Sequence, residues 1–290
     1  MTKAPESSKG SMTLAGQVNF VVALRPEAQP VIEYFNMSPV CSGEGPGRFA
    51  NSLRGLTLIL SGIGRTNAAA AVSRLARARN CEAWVNLGIA GHRNLPLGEA
   101  RIAHKVHCAT TGRSWYPPLV FEVPCPTATV QTVDHATRDF PTDDLYDMEA
   151  SGFYETATHF APHELIHSFK VVSDNTIRSA DTLTPDLISR LIGDNLETLD
   201  ALIEPLQQFS AELCRRRVEP EELCQLLHAC HFTITQRRQL QRLLRRWSVV
   251  CSQVNVVDWV ESNRLTNANT VIESITEHLE GVAPTFETAP

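Results

Sequence analysis

The sequence predicts an α/β domain followed by a helical extension. Three observations lead there. Over roughly the first 175 residues, strand-like apolar runs alternate with helix-like segments. Several of those runs end in small or polar residues, at Leu24 to Glu27, Ser61 to Gly64, Gly88 to Gly91 and Ser173 to Asn175. From about residue 183 the strand signal stops and apolar residues recur at helical spacing. The expected organisation is a disordered leader over 1–16, an α/β domain over 17–210, a helical extension over 211–280 and a loose tail over 281–290.

In chain order, "VNFVVAL" (18–24) is a buried strand, and "PEAQPVIEYF" (26–35) a helix opened by Pro26, whose fixed φ suits the first helical turn. "LTLILSG" (56–62) is a second strand, running through a turn with two glycines into the Ala-rich helix of "IGRTNAAAAVSRLARAR". "EAWVNLGIAG" (82–91) is again an apolar strand ending in a glycine turn. "GEARIAHKV" (98–106) and "ATVQTVD" (128–134) are further strands, with "TGRSWYPP" in the loop between them. "LYDMEASGFYETA" (145–157) has the small-residue composition of a closely packed helix, and "SFKVVSDN" (168–175) is the last strand. The helical stretch from 183 is expected to break near Gly193 and Pro205. In open α/β sheets, ligands bind outside the carboxyl ends of the strands, so a site there would collect the polar strand ends.

Composition excludes several classes. A net charge of -6 argues against a general nucleic-acid or membrane-surface binder, and no apolar run reaches the ~20 residues a membrane helix needs. The polar start lacks the apolar stretch of a secretory signal. Eight cysteines are scattered without a Cys-x-x-Cys pair, which fits reduced thiols in a cytoplasm. Cys224, His228, Cys230 and His231 lie close together, but without a standard ligand spacing they are packing residues of an amphipathic helix, and neither a metal nor a cofactor is expected. Arg215, Arg216, Arg217, Arg237, Arg238, Arg242, Arg245 and Arg246 concentrate basic charge in the extension. Two readings stand: a solvated helix face, or a small nucleic-acid or partner-binding module in which two helices flank "HFTIT" as in a helix-turn-helix.

The segment at 145–157 raises a sharper question. Asp147 and Glu149 begin an otherwise apolar helix, and acids there cap free N–H groups and suit the helix dipole. That accounts for Asp147. Glu149 lies among residues too apolar to leave a charge idle, so it needs a partner.

Five segments in order, "VALRPEA", "SGIGRTNAAAA", "NLGIAG", "LYDMEASG" and "KVVSDN", resemble the nucleoside phosphorylase and nucleosidase superfamily, most closely its methylthioadenosine/S-adenosylhomocysteine nucleosidases. The resemblance covers about residues 18 to 205. It implies a three-layer α/β/α fold with a mixed, twisted central sheet, to which the helical extension is added. It also implies roles. Glu149 would accept hydrogen bonds from ribose hydroxyls while Met148 packs on the sugar or base. Asp174, after Ser173, would be the general acid to N7 of a purine, and Glu27 would orient and deprotonate water. Ile89, Ala90 and Gly91 of the glycine turn would line the substrate. Family members are usually oligomers, so a homo-oligomer is implied.

The chemistry asks for such residues. An N-glycosidic bond breaks through an oxocarbenium-like sugar, so it needs an acid on the departing side and a base holding water opposite. Two carboxylates can share that work when their surroundings push their pKa values apart. Without the resemblance, Glu27 is also explained as a first-turn acid and Asp174 as a turn or cap residue. Phosphorolytic relatives place an arginine just before the segment matching "NLGIAG", where this chain has Asn86 and Leu87, which favours hydrolysis; Arg25 and Arg65 are the remaining candidates to hold an oxyanion. Trp115, Tyr116, His135 and Phe140 are candidates to stack on a base. Phosphorolysis, or a catalytically altered nucleoside-binding regulatory protein, are the alternatives.

Overall fold

A computed structural model describes residues 16–40, 47–76, 81–217, 221–251 and 253–282, with the side chains of 215–221 left aside. The expected leader lies outside the described residues except for Gly16, and of the expected tail only 281 and 282 are described. Two compact units divide the chain, 1–216 and 217–290, and α5 (Leu196–Arg217) runs on through residue 210 to the boundary.

In the first unit β1 (Val18–Val22) is buried at every position and pairs in parallel with β4 (Leu56–Leu60) on one side and β5 (Ala83–His92) on the other. An apolar run without alternation is what a strand covered on both faces requires. The two faces are distinct: Val18, Phe20 and Val22 share a core cluster with residues of helices α1 (Arg25–Tyr34), α4 (Pro185–Gly193) and α5, whereas Val21 belongs to the cluster that holds residues of α2 (Arg65–Leu75) and α3 (Ala150–Ala157). This is the three-layer α/β/α arrangement.

The sheet is mixed. β4 continues through antiparallel partners β3 (Arg48–Asn51) and β2 (Ser38–Pro39). On the other side β5 pairs with β10 (Ile166–Asp174) in parallel and with β9 (Leu145–Asp147) antiparallel. β10 then pairs with β6 (Ala100–Cys108), β6 with β8 (Thr127–Thr132), and β8 with β9. These five strands therefore close a circuit around the end of β5, and a short strand β7 (Ser114–Trp115) is added to β6. Twist accumulated across the sheet is what allows it to curl onto itself.

Three expectations are corrected. Residues 145–157 are not one helix: Leu145–Asp147 is strand β9, and α3 begins only at Ala150 because Asp147 Oδ2 accepts from the Ala150 N–H at 2.8 Å. Gly193 does end a helix, but Pro205 lies inside α5. The cysteines also differ from the reading as free thiols, since Cys81 and Cys214 form a disulfide with Cα atoms 5.6 Å apart. Gly152 of α3 is fixed by close packing, as a Cβ there would lie 2.2 Å from the Arg65 carbonyl oxygen at the start of α2.

The second unit consists of α6 (Glu221–Ala229), α7 (Ile234–Val250), α8 (Val256–Ser262) and α9 (Ala268–Gly281) around a core of its own. Thr233 caps α7, with Gln236 completing a capping box, and Asn255 and Asn267 cap α8 and α9. Cys230 packs in this core and Cys224 is exposed.

Candidate active site

A pocket of about 240 Å³ opens where β1, β5 and β10 end. Each strand delivers one part of it. β1 passes through Leu24 into α1, and Glu27 in the first turn folds back so that Oε2 accepts from the Leu24 N–H at 2.7 Å. Oε1 of the same carboxylate accepts from the Ile89 N–H of β5 at 2.9 Å. Glu27 therefore caps the start of its own helix at Leu24 and, with its other oxygen, ties that helix to β5. Gly88 allows this, because a Cβ there would stand 3.0 Å from Glu27 Oε1.

β10 delivers Ser173 and Asp174. Its register with β5 shifts between Val172 and Asp174, a bulge of the kind that re-aims a side chain beside a site. Ser173 Oγ donates to Asp174 Oδ1 at 2.6 Å. Asp174 Oδ2 lies over Gly91, where a Cβ would be 2.8 Å from that oxygen and 2.7 Å from Phe140 Cε1. Only glycine leaves room for the carboxylate and the ring together.

Glu149 sits before α3, its Oε1 accepting from the Gly64 N–H at 2.8 Å. Gly64 has φ +103°, a backbone state that favours glycine, and the turn so formed aims its N–H at the carboxylate. The partner Glu149 needs is thus a backbone donor from the glycine turn before α2, together with a cation beneath it. That cation is Lys170 of β10, fully buried, with Nζ 2.8 Å from Asp147 Oδ2. Asp147 also accepts from Thr132 Oγ1 at 2.7 Å, and Thr132 Oγ1 accepts from the Ser151 N–H at 3.0 Å.

Electrostatics follow from this geometry. Burial pushes Glu27 up to about 7, although the Ile89 and Leu24 N–H groups and Lys170 act in the opposite direction. Burial likewise raises Glu149, and Asp147 adds to the effect while Lys170 opposes it. Asp174 is raised by burial against the pull of its Ser173 hydrogen bond. For Lys170, burial disfavours the charge, but Asp147, Glu149 and Glu27 outweigh it and hold the ammonium above its ordinary value.

The structure brings Glu27, Glu149, Met148, Asp174, Ser173, Ile89, Ala90 and Gly91 into the lining of this one pocket. Phe140 lines it too, tilted against Tyr146 at 5.4 Å between ring centres. Trp115, Tyr116 and His135 are not among its lining residues. Arg25 stacks over Phe49, and Arg65 pairs with Asp134 at 3.0 Å and donates to Cys108 Sγ at 3.2 Å. The residues that sequence reasoning missed are Lys170 and the second role of Asp147. A signal existed: a lysine inside the apolar run "SFKVV" demands a buried carboxylate.

No family model matches the chain, and no curated protein matches its sequence. Solved structures do match its fold. The 5′-methylthioadenosine/S-adenosylhomocysteine nucleosidase from Helicobacter pylori superposes with a TM-score of 0.57 at 11% identity, covering 66% of this chain and 99% of that one. The corresponding S. pneumoniae nucleosidase gives 0.53 at 18% identity over 67% and 99%. Futalosine hydrolase of Helicobacter pylori gives 0.56 at 11% identity over 66% and 99%. The likeness is one of fold, and the chain folds as these nucleosidases do, in the nucleoside phosphorylase manner.

Proposed function

We propose that this chain hydrolyses the N-glycosidic bond of a purine nucleoside of the methylthioadenosine/S-adenosylhomocysteine type. One observation carries the reading: two buried carboxylates with raised pKa values line the same pocket, Glu27 held at Ile89 and Asp174 held over Gly91. Their anchor points are two residues apart on β5, about 7 Å along a strand. A reaction with an acid on the departing side and a water-holding base opposite needs two carboxylates anchored separately in this way.

In this reading Asp174, protonated, donates to N7 of the purine and lets the base depart as a neutral molecule. Glu149 accepts from the ribose hydroxyls, and Met148 packs against the sugar. Glu27, ionised, orients a water on the far side of the ring and takes its proton as the C–O bond forms. A pKa of about 7 is suited to a base working near neutral pH. Among the described residues, no Lys, Arg or His lines the pocket, whereas Glu27, Asp147, Glu149 and Asp174 do, a lining that disfavours free phosphate and favours water as nucleophile. The fold shared with nucleosidases from Helicobacter pylori and S. pneumoniae supports the same reaction class.

The test is chromatographic detection of free base from methylthioadenosine, S-adenosylhomocysteine, 5′-deoxyadenosine, adenosine, inosine and futalosine, each with and without phosphate. Phosphate-independent release is expected, falling by about 10²- to 10⁴-fold in Asp174→Asn with nucleoside binding retained. Release that requires phosphate would replace hydrolysis with phosphorolysis. Unchanged release in Asp174→Asn would remove Asp174 from the role of acid.

A further inference from the structure

The second unit carries two charge stripes that its own fold leaves unmatched. α7 buries Leu240, Leu244 and Trp247. On its opposite side, at 100° per residue, Arg238, Arg242 and Arg245 follow one another at i, i+4 and i+7, all exposed. Ile234 and Val249 extend the same stripe at either end and are 76% and 79% exposed. The stripe thus runs the length of a 17-residue helix, about 25 Å, as a basic centre between two apolar ends.

α9 buries Val271, Ile272, Ile275 and Leu279 and turns Glu273, Glu277 and Glu280 to solvent, again at i, i+4 and i+7. Among the described residues, none of these six charged side chains has a hydrogen-bond or ion-pair partner, whereas Arg246 turns inward to the Leu279 carbonyl oxygen at 3.2 Å. Like charges at this spacing repel within each helix. Both stripes therefore carry a small internal cost that the isolated unit does not offset.

We propose that the second unit is a self-association module, in which the Arg238/Arg242/Arg245 stripe of one copy docks on the Glu273/Glu277/Glu280 stripe of a second copy of this chain. Opposite sign and equal pitch let three charge pairs form in register along two helices, with Ile234 and Val249 covered at the rims. Exposed ion pairs are individually weak, so the contact is modest in strength and sensitive to salt. The two stripes lie on different helices, so one such contact leaves on each copy a stripe open to a further copy, the head-to-tail mode that builds rings or filaments.

Sedimentation velocity on the full chain tests this. Wild type is expected to form larger species at about 0.1 M salt than at about 1 M, where the screening length falls from about 10 Å to about 3 Å. The triple variants Arg238→Glu/Arg242→Glu/Arg245→Glu and Glu273→Arg/Glu277→Arg/Glu280→Arg are each expected to lose those species when alone and to regain them when mixed in equal amounts. All six positions are exposed, and circular dichroism checks that the helices remain; the wild-type salt series needs no variant at all. Identical sedimentation of wild type at both salt concentrations, or variants that fail to recover on mixing, would overturn the proposal. So would duplex DNA binding by wild type that the arginine variant loses with no change in mass.

Discussion

The substitution Glu27→Gln should reverse its effect on stability between acid and alkaline pH. The wild-type carboxyl sits at about 7 in the folded protein against an ordinary value of 4.5. Because the folded value is raised, the stabilisation is fully present below pH 4.5 and is lost as pH rises towards 7. Each pKa unit is worth about 1.4 kcal/mol, so the loss amounts to about 3 kcal/mol. The amide of the variant has no proton to lose and escapes that penalty. It does forfeit one of the two carboxylate contacts, to the Leu24 or the Ile89 N–H, which costs about 1–2 kcal/mol at every pH. The variant should therefore be less stable than wild type in acid and more stable in alkali. Tryptophan fluorescence would mix the two units, since Trp84 and Trp115 belong to the first and Trp247 and Trp259 to the second. Hydrogen exchange of β1 and β5 peptides across a urea series reports the first unit alone. Between about pH 5 and about pH 8.5 the stability difference should change by at least about 2 kcal/mol. A difference that stays constant would refute the argument that burial holds a proton on Glu27, and with it the near-neutral base.

Two further substitutions probe the floor and wall of the pocket. Lys170→Met leaves Asp147 buried without its cation and should cost about 3–5 kcal/mol in urea unfolding, while Lys170→Met/Asp147→Asn should recover much of that; costs that simply add would show that the two side chains are not coupled. Gly91→Ala sets a methyl against Phe140 and Asp174, at 2.7 and 2.8 Å. A displacement of the acid by about 1 Å should lower base release by about 10²-fold with only about 1–3 kcal/mol of lost stability, and wild-type turnover in this variant would mean that the carboxylate is not held where the geometry places it.

The layers of the first unit were legible because β1, β5 and β10 are covered on both faces, and such strands read as runs of apolar residues with few breaks, here Asn19 in β1, Asn86 in β5 and His167, Ser168 and Lys170 in β10. β9 was not, since three residues are too few to show a period, and Leu145–Asp147 merge with the small-residue composition of α3. Closure of β5, β10, β6, β8 and β9 into a circuit depends on pairings between distant segments, as does the joining of Cys81 to Cys214 across 133 residues, and local pattern carries neither. In the pocket, the sequence showed that Glu149 needs a partner without saying which. The N–H that meets it belongs to Gly64, 85 residues earlier, and the charge beneath it to Lys170. Among the aromatic candidates, Phe140 reaches the pocket because Gly91 has no side chain to hold it off, a contact that no composition argument distinguishes from Trp115 or His135.

The proposed reaction asks one site to hold both an acid and a base, and the distribution of charge under the pocket allows it. Asp147 takes Lys170 directly, at 2.8 Å, with both side chains shut away from solvent. Glu27 and Glu149 are left to share the remaining influence of that one cation, and burial raises both of them and Asp174. Ionising all three together in so small a volume would set like charges against one another at low dielectric, so protons are retained at a pH where free carboxyls have none. Local donors then bias where they reside. Glu27 receives two backbone N–H groups, which favour its anion and draw it back to about 7 despite complete burial. Asp174 has the single hydroxyl of Ser173 and an apolar wall in Phe140. A purine filling the pocket would cover what remains exposed of Asp174 and leave Glu27 its two donors. In the proposed reaction, occupancy itself would therefore push the two carboxyls apart, Asp174 towards keeping its proton and Glu27 towards losing it.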